Sequence, residues 1–358
     1  NQRVLNSNSS RVYDSTTTAA SSDILLTNQV TGETLQLSNA SATSNANVGS
    51  YSITNLSGIT ISDEAGANAS SGALAANYTL TGGTHNFAIN RKSVNISGTR
   101  EYDGTTNIAA ADISTITDTV NSEVLAMSGG LGTTSSANVG AYNLTDTSQG
   151  TLILANGPSG ANQGLASNYT LTGGTQDYTI TQRVLSSSGS KAYDANTNAL
   201  AADITLSNLV SGETLNHSGT ASISSANAAS YTITNLAGIT LADNAGLASN
   251  YTLTGGTHNF TVNPKVISLS GSRLYDATTD AVASDLTTIS GLVGSETLNL
   301  SGTGSVTNAN VASNKTVTLG TLALADNSGL AANYTLSGGT HQLTINQRPL
   351  AATVARQY

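Results

Sequence analysis

Cysteine and tryptophan are absent from the 358 residues, proline occurs 3 times, methionine once and phenylalanine twice, and charged side chains make up only 9 %. Without cysteine there is no disulfide scaffold and no thiol chemistry, which suits a chain that folds without an oxidant. The net charge of −9 is thinly spread, and no basic stripe is present to follow a phosphate backbone, which argues against nucleic-acid binding. No apolar run approaches the roughly 18–20 residues that cross a bilayer, so this segment is not expected to insert in a membrane. Glu, Lys, Arg and Gln are scarce, while Thr, Ser, Asn, Gly and short alternating runs of Leu, Ile and Val are abundant. That balance favours strands joined by tight turns over helices.

What the chain does contain is a phrase written four times. Arg11-Val12-Tyr13-Asp14 recurs as Arg100-Glu101-Tyr102-Asp103, Lys191-Ala192-Tyr193-Asp194 and Arg273-Leu274-Tyr275-Asp276. In phase with it come an Asp (Asp23, Asp112, Asp203, Asp285), a Glu (Glu33, Glu123, Glu213, Glu296) and an Asn (Asn47, Asn138, Asn227, Asn310). A closing Asn-Tyr-Thr-Leu begins at Asn77, Asn168, Asn250 and Asn333. From Tyr13 to Tyr102, Tyr193 and Tyr275 the steps are 89, 91 and 82 residues. A unit of that length can bury its own core, whereas solenoid repeats are typically about 20–45 residues.

The period divides the chain into repeats at residues 1–89, 90–180, 181–262 and 263–345, with 346–358 opening a fifth, because Gln347-Arg348-Pro349-Leu350 precedes Tyr358 as Gln2-Arg3-Val4-Leu5 precedes Tyr13. The segment thus reads as an excerpt from a longer array. Junctions such as Asn90-Arg91-Lys92-Ser93 hold no Gly/Ser swivel, so neighbouring repeats are expected to partner one another in a semi-rigid, elongated rod. Each unit would advance on the order of 30–40 Å. The closing phrase reads as a hairpin, with Gly82-Gly83 as a two-residue turn pairing Thr81 with Thr84, Leu80 with His85 and Tyr78 with Phe87. The second copy carries an insertion of loop residues, Ala155 to Gly164, which belongs on the surface.

The Tyr-Asp-Gly-Thr-Thr string at Tyr102 to Thr106, its variants at Tyr13 and Tyr275, and the closing Asn-Tyr-Thr-Leu resemble the YDG-type repeats of large bacterial surface and biofilm-matrix adhesins similar to filamentous haemagglutinin, often secreted by a two-partner route. Only the second copy keeps Gly after Tyr-Asp; the others carry Ser15, Ala195 and Ala277. The resemblance implies an all-β tandem array of small immunoglobulin-like or β-grasp-like domains, outside a bacterial cell, without catalysis.

Chemistry required of every unit should appear in every unit. His85, His258 and His341 share one position, but the second copy has Gln176 there, and His217 has no counterpart, so these read as surface strand histidines. A Lys–Asn isopeptide bond would need a Lys in each copy, and the basic residue before Tyr is Arg in three of four. No nucleophile elbow, phosphate loop or metalloprotease motif occurs, and no enzyme is expected. The recurrent carboxylates are the alternative chemistry: Asp14, Asp23, Glu33, Asp203 and Glu213 would be calcium ligands if folding gathered them, although no dense Asp-x-Asp-x-Asp loop is present. Otherwise Tyr13, Tyr102, Tyr193 and Tyr275, with Asp14, Asp103, Asp194 and Asp276, form a structural motif in which the Tyr packs at a domain edge and the Asp caps a turn. The sequence therefore points to a structural stalk or fibre region for cell adhesion or matrix assembly, with neighbouring repeats, other copies in a fibre or matrix polysaccharide as partners. The competing reading is a multivalent weak glycan binder, which needs those tyrosines exposed.

Overall fold

A computed structural model describes residues 1–63, 74–145, 148–233 and 235–351; the Tyr358 that would mark a fifth repeat lies outside them. Strands predominate, and the helical elements among the described residues are three-residue 3₁₀ turns. The chain divides into two compact units, residues 1–182 and 183–358, each holding two copies of one topology.

In the first copy the strands are β1 (Arg3–Val4), β2 (Asn6–Val12), β3 (Thr18–Ala20), β4 (Leu26–Thr27), β5 (Leu35–Ala42), β6 (Gly49–Ser52), β7 (Ile59–Asp63), β8 (Tyr78–Thr79) and β9 (His85–Asn90). A four-stranded mixed sheet has the order β4-β2-β9-β6, and a three-stranded antiparallel sheet the order β3-β5-β7. The two central strands of the mixed sheet, the first and last long strands of the copy, run parallel from Ser7↔His85 to Val12↔Asn90. Alternation does the sorting, since His85, Phe87 and Ile89 of β9 point inward while Asn86 and Asn90 face solvent.

A kink recurs in the second sheet. The β5 equivalent bends at a residue of positive φ in every copy: Asn39 (66°), Gly130 (85°), Gly219 (101°) and Gly302 (90°). At Gly130 and Gly302 the strand is divided, so the second sheet of those copies falls into two short pairs. A Cβ on Gly130 would lie 1.8 Å from the Thr151 carbonyl oxygen, so the crossing strand permits nothing larger there.

The expected closing hairpin does not form. β8 pairs in parallel with β1, Arg3↔Tyr78 and Val4↔Thr79, while β9 lies in the other sheet between β2 and β6. The two glycines close a four-residue turn instead, with Gly83 N–H donating to the Leu80 carbonyl (3.1 Å) and Gly82 at φ +86°. Gly83 is needed for close approach, because a Cβ there would meet the Leu5 carbonyl oxygen at 1.9 Å. The chain turns a corner from sheet to sheet, and the start of the copy takes the partner that the hairpin would have used.

The histidines are also not on the surface. His85, His258 and His341 are buried, and each Nε2 lies 2.8–2.9 Å from the carbonyl of Leu80, Leu253 or Leu336 in that corner. Gln176 reaches the matching Leu171 carbonyl with its Nε2 at 2.8 Å, which explains why an amide replaces an imidazole. The unmatched His217 faces the Ile204 carbonyl at 2.9 Å.

Candidate functional site at the repeat junction

The Tyr-Asp phrase sits where β2 ends. Asp14 Oδ1 accepts the Thr16 N–H (2.9 Å) and hydroxyl (3.0 Å), and Arg11 pairs with the same carboxylate. Asp103 and Asp276 repeat these bonds with Thr105 and Thr278. At Asp194 burial alone would raise the acid's pKa, but bonds from Lys191 and Asn196 outweigh it and hold the carboxyl below the usual range. The residue after Asp has positive φ in all four copies: Ser15 (66°), Gly104 (80°), Ala195 (62°) and Ala277 (69°). Glycine suits that left-handed position without strain, and Ala or Ser costs about 1 kcal/mol there.

The tyrosine turns away from its own copy towards the next. Tyr13 donates to Glu123 Oε1 at 2.7 Å, and Tyr169 of that next copy donates to Oε2 of the same carboxylate at 2.9 Å. The two rings meet edge to face with centroids 5.4 Å apart. Unit 183–358 repeats the arrangement: Tyr193 and Tyr334 donate to the two oxygens of Glu296 at 2.6 and 2.7 Å, with rings again 5.4 Å apart. Burial, followed by the bond to the carboxylate, pushes the Tyr13 and Tyr193 hydroxyls up to about 12.

A local turn aims the glutamate. In Val120-Asn121-Ser122-Glu123 the Glu N–H donates back to the Val120 carbonyl (2.8 Å), and the Val120 N–H donates to the Tyr169 hydroxyl (3.0 Å). The phenol therefore accepts from backbone and donates to carboxylate within a single turn. Val293 and Glu296 do the same with Tyr334, as do Val30 and Glu33 with Tyr78, and Val210 and Glu213 with Tyr251.

Two asparagines complete the junction. Asn168 accepts the Val48 N–H and donates to Asn47 Oδ1, both at 2.9 Å; Asn333 accepts from Ala228 (2.8 Å) and donates to Asn227 (3.1 Å). Asn168 and Asn333 are each only 1 % exposed. Around these polar contacts the apolar core is continuous, joining Phe87 and Ile89 to Leu125, Tyr169 and Leu171 in one unit and Phe260 to Tyr334 and Leu343 in the other.

The five carboxylates considered for calcium are scattered. Asp14 belongs to the Arg11 turn, Glu33 and Glu213 to tyrosine hydroxyls, and Asp23 and Asp203 end 3₁₀ turns. Among the described residues no group of three or more His, Asp or Glu side chains is placed to hold a metal ion. Asp63, Asp243 and Asp326 accept the N–H of Ala75, Ala248 and Ala331 at 2.6–2.7 Å, opening the 3₁₀ turn before the closing tyrosine. Asn156 does this for Ala166 at 2.8 Å, so the second copy's added residues loop out between the recurring cap and its turn without disturbing the junction.

Sequence reasoning found the in-phase Glu and both Asn without giving them this partnership. The available signal was that polar residues kept phase although nothing local required them. A family model for the YDG domain matches residues 2–85, 178–259 and 257–342. No curated protein matches the chain.

Proposed function

Since the chain belongs to the YDG-domain family, we propose that it is a structural stalk or fibre region of a secreted bacterial surface adhesin, supporting cell adhesion or biofilm-matrix assembly, and that it performs no catalysis. The observation that carries this reading is the use made of the family's tyrosine. Tyr13 and Tyr193, 6 % and 5 % exposed, fasten one repeat to the next through a shared carboxylate. A glycan-binding role would need those rings open to solvent, and Tyr102 is buried as well. Within each unit the two repeats share an apolar core and a carboxylate and are joined without a flexible linker, which suits a spacer that holds a tip away from a cell. The parallel central pair departs from an immunoglobulin-like sandwich, whose sheets are built mainly from antiparallel neighbours.

Small-angle scattering of the 358-residue chain, with and without a calcium chelator, tests the proposal. The expected result is a maximum dimension near the sum of four repeats in both conditions. A compact particle would sink the stalk, and a rod that collapses on chelation would give the acidic residues a metal-binding role.

A further inference from the structure

In the third copy the strand Ile239–Ala242 is the edge of its sheet, and among the described residues it pairs only with Asn216–Ser222. Tyr251–Thr252 is likewise an edge, paired in parallel with Arg183–Val184. Between the two edges lies an open groove of about 610 Å³, whose lining includes Ile233, Leu236, Ile239, Leu241, Tyr251 and Leu253 but no acidic side chain, Lys or Arg. The groove lies in the middle of the chain, and every residue from Ile239 to Leu253 is described, so both walls are complete.

The walls carry unbonded backbone groups. Thr220 N–H donates to the Gly238 carbonyl (3.1 Å), and bonded pairs alternate along an antiparallel ladder, so Thr240 and Ala242 turn to Ser218 and Asn216 while Leu241 turns outward. On the other wall Leu185 N–H donates to the Thr252 carbonyl (2.8 Å), which leaves Leu253 N–H directed away from that neighbour. Among the described residues nothing is bonded to the N–H or carbonyl of Leu241, or to the N–H of Leu253. Leu80, Leu171 and Leu336, each 8–9 % exposed, leave the same N–H unbonded, so the feature belongs to the repeat and not to one copy. A backbone group left unpaired in so buried a place destabilises the fold until a complementary group meets it.

We propose that this groove is a docking site for an extended, uncharged polypeptide segment with aliphatic side chains at alternate positions, which adds as a strand between Ile239–Ala242 and Tyr251–Thr252. A strand presents N–H and C=O groups along both of its edges, so it serves Leu241 on one side and Leu253 on the other. Its alternate side chains fall on the aliphatic lining, which gives the site its preference. A charged segment would lose hydration there without meeting a counter-charge. A second folded copy is not the occupant, because any edge it offers is backed by its own sheet while the groove already has a strand on either side. The inference goes beyond the stalk reading by giving the repeat a peptide-holding role, and its failure leaves that reading standing.

Hydrogen exchange of the 358-residue chain, with and without the peptide acetyl-Thr-Val-Thr-Ile-Thr-Val-amide, tests it. The expected result is saturable slowing at the Leu241 and Leu253 amides, with none from acetyl-Thr-Asp-Thr-Asp-Thr-Asp-amide. Leu241→Pro removes an N–H that its own sheet does not use, a change that sheet edges tolerate, and protection of Leu253 should then need about tenfold more peptide. Ala237→Glu, at an exposed position of the lining, should abolish protection and gives a second variant if proline disturbs the strand. Unchanged exchange at both amides overturns the proposal, as does equal protection by the acidic peptide or protection of Leu253 that survives both substitutions.

Discussion

Tyr193 and Tyr275 occupy the same place in successive copies of one unit and meet different surroundings. Tyr193 is 5 % exposed, with its hydroxyl on Glu296 and its ring against Tyr334; Tyr275, after an equivalent strand and before an equivalent Asp turn, is 39 % exposed. The turn forms in both, so it does not depend on the burial of the ring. The phrase thus holds two devices in adjacent residues: an Asp that shapes its own copy, and a Tyr that, at Tyr13 and Tyr193, is completed by the copy that follows.

The largest expected effect is on the ring itself. Tyr193→Ala should destabilise unit 183–358 by about 3–5 kcal/mol, the usual loss for a buried aromatic, and Tyr275→Ala by less than about 1 kcal/mol, as judged by denaturant unfolding. Equal losses would break the comparison. Next is the carboxylate: Glu296→Ala leaves two phenol hydroxyls without their acceptor and should cost about 2–3 kcal/mol, whereas Glu33→Ala, which serves Tyr78 alone, should cost roughly half as much.

Alkaline titration sharpens the same contrast. A hydroxyl pKa raised to about 12 at Tyr13 and Tyr193, against 10.0 for a free phenol, means that the unfolded chain loses these protons first. Their stabilisation is thus complete below pH 10 and declines as pH rises towards 12, and Tyr193→Phe should flatten that decline in a stability profile. The smallest effect belongs to the turn: Ala195→Gly and Ala277→Gly should each add about 1 kcal/mol by relieving positive φ, equally with or without a following repeat. A gain at one site only would mean that the turn and the junction are coupled.

Period, strand content and the Asp turn were legible because each is written locally: spacing, alternation, and an Asp two residues before the N–H it accepts. Gly82-Gly83 misled because a glycine pair serves a hairpin and a sheet-to-sheet corner equally well, and the choice rests on β1, more than seventy residues earlier. The histidines misled because a Gln in one copy looked like freedom, when both side chains supply a donor to one carbonyl. The junction was the least legible, since Tyr13 and Glu123 are 110 positions apart and belong to different copies. Recurrence shows that such residues matter without showing which copy's residue meets which.

The parallel pairing of β2 with β9 has a mechanical consequence. The chain enters a copy at the start of one central strand and leaves at the end of its parallel neighbour, so tension along the array pulls the two in opposite directions along their length. The bonds between Ser7↔His85 and Val12↔Asn90 are then loaded together in shear and cannot be peeled one at a time from an end. A copy built this way yields only when the whole six-pair register slips at once, which makes the strands that carry the chain from repeat to repeat also its resistance to being drawn out.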